Sequence, residues 1–321
     1  MNLIDVTNKL QTEDQCLDFI EKVRWPDGAI RCVRCGTDRV SRITRTVNPD
    51  VRRSEKKQNK RTRLYACLEP TCKHRFTPTV GTLFHDSHLP LVKWFQAVAL
   101  IVHAKKGMSA MQMQRHLGVN YRTAWYMGHR IRKAMATGEG LVSPKLAGIV
   151  EMDETYVGGK VRGKGIYQAK REKAIVVGLR ERGGDLRLVH TSDTKSKTLQ
   201  PIIKANVSPD VELVMTDDAP ASAAALKDVA IDGICAKHRI INHSSGHYVE
   251  GIVHTNTIES AFSLFKRGIV GSFHRMSHKH MHRYLSEFQY RFNRRKNADM
   301  VRETVGHLIG TKEMPYKELT A

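Results

Sequence analysis

The chain has 321 residues, enough for two or three domains, and its 53 lysines and arginines against 32 acidic residues give a formal net charge of +21. This excess strains a compact fold by self-repulsion, so we expect a nucleic acid as partner, ahead of an anionic membrane surface. No apolar run approaches the ~20 residues of a membrane helix, and the first residues lack the build of a signal peptide, so we expect a cytoplasmic protein with no membrane partner.

Residues 1–28 are predicted to form an N-terminal helical segment. A helix over residues 12–24 is indicated because Thr12 is a good N-cap and apolar side chains follow it at helical spacing. The pair Trp25-Pro26, followed by Asp and Gly, ends this helix.

Residues 29–80 hold two close pairs of cysteines. Disulfides are rare in the cytosol, whereas two close pairs supply the four soft ligands of a tetrahedral zinc ion with little loop strain. Four unrelated thiols, or His74 in place of one cysteine, are the alternatives. We predict a zinc ribbon in which one structural Zn²⁺ is held by Cys32, Cys35, Cys67 and Cys72.

Residues 81–140 are predicted to form a helical DNA-binding domain. Residues 90–104 are apolar nearly all round, which indicates a buried helix. Helices near 109–117 and 121–135 are joined by the short turn 118–120, which contains glycine, as in a helix-turn-helix; a plain pair of packed helices is the alternative. Because the second helix is basic, we predict DNA contacts from Arg122, Arg130, Arg132 and Lys133.

Residues 147–310 are predicted to form an α/β domain after a linker at 137–146. The expected elements are a strand in 148–159, a hairpin in 174–193 with its turn at Gly183-Gly184, a helix in 196–207, a strand in 211–217 and a long helical region from Asn256.

Three acidic residues of this domain stand where metal chemistry needs them. Asp153 lies in the first strand, Asp217 closes a later one, and Glu259 lies in the first turn of a helix. A carboxylate in an apolar strand is costly unless it is paired, hydrogen-bonded or bound to metal. Convergent carboxylates can hold two Mg²⁺ ions about 4 Å apart. Lys266, two helical turns after Glu259, could hold a phosphate beside them.

Other roles for these acids stay open at this point. Asp217 or Asp218 could be a turn residue after the strand, and Glu259 could be the capping-box partner of Asn256, since Asn-x-x-Glu fits that pattern. Glu151 and Glu154 compete with Asp153 for the place in the first strand.

Several longer motifs resemble one family. The segment MDETYVGGK at 152–160 resembles the start of the ISXO2-like transposase domain of IS1595-group insertion sequences. HTNTIES at 254–260, followed by KRG, is similar to its third acidic motif, and YLSEF with RFNRR is similar to its closing signature. In the front half RWPDG, the cysteine pairs, GTLF and PLxxW fit the same family, so the resemblance spans about residues 12–300.

The resemblance implies a DDE-type DNA transposase with an RNase H-like catalytic domain. Asp153, Asp217 and Glu259 would then be the catalytic triad that binds Mg²⁺ or Mn²⁺, and Lys266 the associated basic residue. The implied substrate is double-stranded DNA, both transposon ends and target, which is cut and then joined by a homodimer or larger assembly at the nucleoid. The Cys67-x4-Cys72 spacing departs from the family, where two residues are more usual. The alternatives are an inactive DNA-binding regulator derived from a transposase, and an RNase H-like nuclease that cuts without joining.

Overall fold

A computed structural model of the protein describes residues 1–43, 63–142, 144–158, 173–228, 237–241 and 254–320. The last two residues of the MDETYVGGK motif lie outside the described part of the chain. The contacts divide the chain into two compact units. The first consists of residues 1–104, 108–138 and 297–321, and the second of residues 105–107 and 139–296.

The elements follow one another along the chain in this order: α1 (Leu3–Lys9), α2 (Glu13–Arg24), β1 (Val40–Arg42), β2 (Tyr65–Cys67), β3 (Arg75–Phe76), α3 (Leu91–His103), α4 (Ala110–Leu117), α5 (Tyr121–Val142), β4 (Ile149–Val157), β5 (Ala174–Glu181), β6 (Leu186–Thr191), α6 (Ser196–Asn206), β7 (Leu213–Thr216), α7 (Pro220–Asp228), β8 (His238–Ile240), α8 (Asn256–Gly268), α9 (Met281–Asn293), α10 (Met300–Gly310) and α11 (Tyr316–Thr320). A short π-helix, Ile269–Phe273, follows α8 directly. In the part of the chain that the structure describes, no helix is both long and apolar enough to cross a membrane.

The helix predicted at 12–24 is confirmed, with its cap. The Thr12 side chain accepts a hydrogen bond from the Gln15 N–H at 3.2 Å, and the Gln15 side chain accepts one from the Thr12 N–H at 3.0 Å, so both form a capping box. The helix ends at Arg24, before Trp25.

Helix α3 lies at the centre of the first unit, as its apolar composition predicts. Trp94 and Phe95 on α3 are buried, and α1, α2 and α10 contact this helix. On α10, Val301, Val305 and Leu308 are fully buried. This apolar face draws residues 297–321 into the first unit, whereas the sequence prediction ran the α/β domain to residue 310.

Helices α4 and α5 are joined by a tight turn. Ser109 caps α4 by accepting from the Gln112 N–H at 3.2 Å, and Gly118 takes the left-handed conformation (φ 58°, ψ 44°) that ends it. Asn120 then accepts from the Thr123 N–H at 2.8 Å and caps α5. Helix α5 continues to Val142, so it occupies part of the stretch predicted as a linker.

The cysteine-bearing segment forms a small antiparallel sheet in the order β1-β2-β3. Tyr65 on β2 and Phe76 on β3 are directly paired and buried, and with Trp25 they form the core of this sheet. The Glu21 carboxylate of α2 accepts hydrogen bonds from Arg63 and from the Tyr65 hydroxyl, each at 2.7 Å. Helix α2 therefore anchors the sheet within the first unit.

The second unit is a five-stranded mixed sheet in the order β6-β5-β4-β7-β8. Strands β4, β5 and β6 are antiparallel neighbours, and β7 and β8 join beside β4 in parallel. The predicted hairpin is confirmed, with Gly183 at φ 73° in its turn. The α/β class predicted for this part of the chain is confirmed with it.

Helices cover both faces of this sheet, and β4 divides its side chains between them. Val150 and Met152 belong to an apolar cluster with α6 and α7. Val157 belongs to a second cluster with α8 and α9, in which Phe262 and Phe265 are buried. Because side chains alternate along a strand, residues 151, 153, 155 and 157 all face α8.

Candidate functional site

The four predicted zinc ligands lie together in the first unit. Their sulfur atoms all lie within 4.8 Å of one another, with 3.8 Å between Cys32 and Cys72 and 3.6 Å between Cys35 and Cys67. His74 stacks on the Phe76 ring at 6.1 Å and is not one of the group. The longer Cys67–Cys72 spacing is taken up by a turn in which the Glu69 carbonyl accepts from the N–H groups of Cys72 and Lys73.

The cysteine chemistry fits a cation. Burial first, and then hydrogen bonds with Cys35 and Cys32, raise the pKa of the Cys67 thiol far above its ordinary value. Four thiolates cannot be packed at these distances without a positive charge between them. A bound Zn²⁺ would favour the ionised form of all four, and four protein ligands are the mark of a structural zinc site.

In the second unit, the sheet brings two of the predicted acidic residues toward α8. Parallel pairing sets Glu151 of β4 opposite Met215 of β7, so that Asp217, just past the end of β7, continues alongside Asp153. Asp217 accepts from the Ala219 N–H at 3.2 Å. Glu259 is exposed on the first turn of α8 and accepts from the Thr255 hydroxyl at 3.0 Å.

The other acids act electrostatically on Asp153. Burial raises the pKa of Asp153 to about 7, and the charges of Asp217, Glu154 and Glu259 add to the shift. Among the described residues, however, the four cysteines are the one set of three or more potential metal ligands gathered at close range. Asp217 and Glu259 are therefore near enough for their charges to act on Asp153, but the three carboxylates are not gathered at the distances of a metal site.

A cavity of about 710 Å³ opens beside Asp153 and Glu259. It is lined by acids, by cations and by residues of the π-helix: Lys106, Asp153, Glu154, Thr155, Glu259, Phe262, Ser263, Lys266, Arg267, Val270 and Gly271. Lys266, two helical turns after Glu259, is among these lining residues. Acids beside exposed cations form a site that could hold a divalent metal together with a phosphate.

Glu151 is the other acid on this face of β4, and its carboxylate oxygens are all engaged by partners within the protein. It is completely buried (0% exposed) and pairs with Arg182 at 2.6 Å and with His254 at 3.3 Å. It also accepts from the N–H groups of Thr257 at 2.8 Å and Ile258 at 3.0 Å, the second and third residues of α8. Glu151 thus holds the start of the helix that carries Glu259 and Lys266, and its carboxylate has no capacity left for a metal.

The capping-box interpretation of Glu259 is wrong. Helix α8 begins at Asn256 itself, with Thr255 as the N-cap residue and no capping side chain from either. The backbone N–H groups of the first turn are satisfied instead by Glu151, which comes from β4 and is more than a hundred residues away in sequence. The sequence did not predict that Glu151 caps this helix. The one local sign was that Glu151 is an acid on the same strand face as Asp153.

Of the four basic residues predicted to contact DNA, only some face solvent. Arg130 is 6% exposed and donates to the carbonyls of Leu83, His85 and Met314 at 2.9 to 3.3 Å. Arg132 is also buried and donates to the Met108 carbonyl at 3.5 Å, and Lys133 pairs with Glu318 at 3.2 Å. Arg122 is exposed at the start of α5, 5.9 Å from the Tyr316 ring.

Two family models match the chain. Residues 145–293 match the ISXO2-like transposase domain, and residues 11–75 match the transposase zinc-ribbon domain. A similar protein, described as an uncharacterized protein in transposable element ISH50 of Halobacterium salinarum (strain ATCC 700922 / JCM 11081 / NRC-1), is 27% identical over 297 residues, which cover 87% of this chain and 90% of that protein.

These matches agree with the order of the folded parts. A four-cysteine ribbon precedes an α/β domain, and each lies in a segment that matches a transposase domain model. The particular resemblance to the ISXO2-like transposases of insertion sequences, drawn above from short motifs, is confirmed by both.

Proposed function

We propose that this protein is a DDE-type DNA transposase that binds transposon ends and catalyses metal-dependent strand cleavage and strand transfer. The observation that carries the proposal is the placement of Asp153 and Glu259 in one cavity with Lys266, with Asp217 near enough for its charge to act on Asp153, inside a domain that matches the ISXO2-like model. Its mixed sheet, with helices on both faces, is consistent with an RNase H-like fold.

The triad would hold Mg²⁺ or Mn²⁺. When bound, such ions help to activate an attacking oxygen and to stabilise a leaving oxygen. Asp153 has the most firmly held backbone of the three acids, because β4 lies between two strands at the centre of the sheet. Asp217 and Glu259 stand at a strand end and a helix start, where small shifts can bring their oxygens closer. Lys266 would hold a phosphate oxygen of the DNA from the same helix face as Glu259.

The first unit would bind the transposon ends. Its zinc ribbon and the capped pair α4–α5 present exposed basic and aromatic side chains, among them Arg115, Tyr121 and Arg122. The charge of +21 favours binding to phosphate throughout. Paired cutting and joining of two ends needs two active sites in one complex, so we propose at least a dimer on DNA, at the nucleoid.

The proposal is tested on a labelled duplex that carries the transposon end, by following cleavage and strand transfer beside end binding. Asp153→Asn and Asp217→Asn should abolish both reactions and leave binding intact, because asparagine keeps the shape and removes the charge that holds metal. Glu259→Gln should act alike, and Lys266→Ala should reduce activity less. Asp218→Asn changes the acid next to Asp217 and is the matched control.

The outcomes separate the candidate functions. Normal cleavage by the Asp153 and Asp217 variants would refute the metal triad. Cleavage without any joined product would favour a nuclease, and end binding without cleavage by the unmodified protein would favour a DNA-binding regulator.

A further inference from the structure

A short segment that precedes the α/β domain by almost forty residues belongs to that domain by its contacts. Residues 105–107 follow α3 in the chain, yet they are part of the second unit. The Arg291 guanidinium of α9 donates to the Lys105 carbonyl at 3.3 Å, and Arg291 is itself buried and paired with Glu287 at 3.1 Å. An ordered ion pair therefore holds the backbone of this segment.

Two glycines let the segment approach closely. Gly107 has φ 81°, and a Cβ there would lie 2.5 Å from the Phe273 ring, so a larger residue would be both strained and blocked. At Gly268, the last residue of α8, a Cβ would lie 2.7 Å from the Lys106 carbonyl oxygen. The backbone of Lys106 thus lies directly against the end of the helix that carries Lys266.

This position of the Lys106 backbone places the Lys106 side chain on the wall of the cavity. Lys106 lines it together with Asp153, Glu259, Lys266 and Arg267. Its side chain is exposed, and its Cδ lies 3.9 Å from the position that a Cβ of Gly271 would take. Among the residues that the structure describes, the Lys106 ammonium makes no ion pair and no hydrogen bond. The backbone of residues 105–107 is therefore held in place, and the Lys106 ammonium, which has no partner among the described residues, lies at the edge of the acidic site.

We propose that Lys106 binds a backbone phosphate of the DNA strand being processed, next to the phosphate held by Lys266. This inference rests on the proposed function. Neither matched domain, 11–75 or 145–293, includes Lys106, so nothing in those resemblances assigns it. Lys106, Lys266 and Arg267 all line the cavity. When the acids of the cavity hold divalent metal these three cations do not have to neutralise them, and a polyanionic DNA strand is the counter-charge that fits the cations.

The test compares Lys106→Ala and Lys106→Arg with Lys105→Ala in the full-length protein. Lys105 is an adjacent exposed lysine that does not line the cavity, so it controls for loss of charge alone. The substrate is a labelled duplex bearing the transposon end, and rates are measured over a range of DNA, salt and Mn²⁺ concentrations.

Lys106→Ala should raise the half-saturating DNA concentration about three- to tenfold and lower the slope of log affinity against log salt by about one. The Mn²⁺ requirement should not change, Lys106→Arg should restore most of the affinity, and Lys105→Ala should behave as the unmodified protein. If Lys106→Ala and Lys105→Ala are indistinguishable, the inference is wrong. It is also wrong if arginine fails to rescue and the thermal midpoint falls, because Lys106 would then be structural.

Asp153→Asn, run in parallel, keeps the two claims apart. If that variant is inactive while Lys106→Ala matches its control, only the role of Lys106 fails. If Asp153→Asn cuts normally, the proposed function fails as well.

Discussion

Replacing Glu151 by alanine should loosen helix α8 more than any other single change in the site. The variant leaves the Arg182 guanidinium without its partner at 2.6 Å and the N–H groups of Thr257 and Ile258 without an acceptor. Removing one member of a buried ion pair costs about 3–5 kcal/mol, and losing a helix cap costs about 1 kcal/mol. The two terms overlap because one carboxylate supplies both, so we expect about 4 kcal/mol.

Hydrogen exchange can locate this loss. At about 1.4 kcal/mol per factor of ten, 4 kcal/mol corresponds to roughly thousandfold faster exchange of the α8 amides, wherever exchange proceeds through opening of this helix. The tryptophans at positions 25, 94 and 125 all lie in the first unit, so their fluorescence reports whether that unit stays folded. Glu151→Gln keeps an oxygen for the two N–H groups and should lie between the alanine variant and the unmodified protein.

Glu181→Ala is the matched control for Glu151→Ala. The Glu181 carboxylate also accepts from two backbone N–H groups, those of Ala147 at 3.3 Å and Gly148 at 2.6 Å, and it does so on the same sheet. Its loss should cost about 1–2 kcal/mol and leave α8 exchange unchanged. If Glu151→Ala exchanges at α8 like this control, the capping role of Glu151 is refuted.

The remaining predictions concern the ribbon, the DNA-binding unit and the acidic site. Purified protein should contain about one zinc per chain by elemental analysis, and Cys67→Ser should release it and unfold the ribbon; a folded, zinc-free protein would contradict this. Arg122→Ala should weaken end binding and lower its salt slope by about one, whereas Arg130→Ala should lower the thermal midpoint first, because Arg130 bonds carbonyls of its own unit. Protein that keeps its ribbon zinc but has no Mg²⁺ or Mn²⁺ should lose stability as pH rises from about 4 to 7, since the folded state keeps the Asp153 proton up to about pH 7 and the unfolded state loses it near 3.8. Asp153→Asn should remove that loss, worth about 1.4 kcal/mol per pKa unit, in thermal melts run without added Mg²⁺ or Mn²⁺ and without chelator at pH 5 and pH 8; equal midpoints for both proteins at pH 8 would contradict it.

Local features were the ones that the sequence predicted well. The capped helix at Thr12, the four cysteines and the hairpin at Gly183 each depend on residues close together in the chain or on a spacing with one chemical use. The basic residues of α5 show what local sequence features could not predict. Counting charges could not tell that Arg130 and Arg132 lie on the buried side of their helix, because the carbonyls that hold them come from distant segments such as the one at Met314.

In the acidic site, too, the sequence predicts where a carboxylate lies but not which distant residues contact it. Glu151 and Asp153 are two residues apart, so the strand puts both on one face, and no local pattern separates them. Their partners separate them. Glu151 contacts Arg182, His254 and two N–H groups, whereas burial, and then the charges of neighbouring acids, raise the pKa of Asp153 to about 7. A carboxylate whose acceptor capacity is used stabilises the fold, and one kept among like charges gains most from a divalent cation. Glu151 therefore fixes α8, whereas Asp153 is the acid that we propose to bind a metal, and the two acids should fail in different assays.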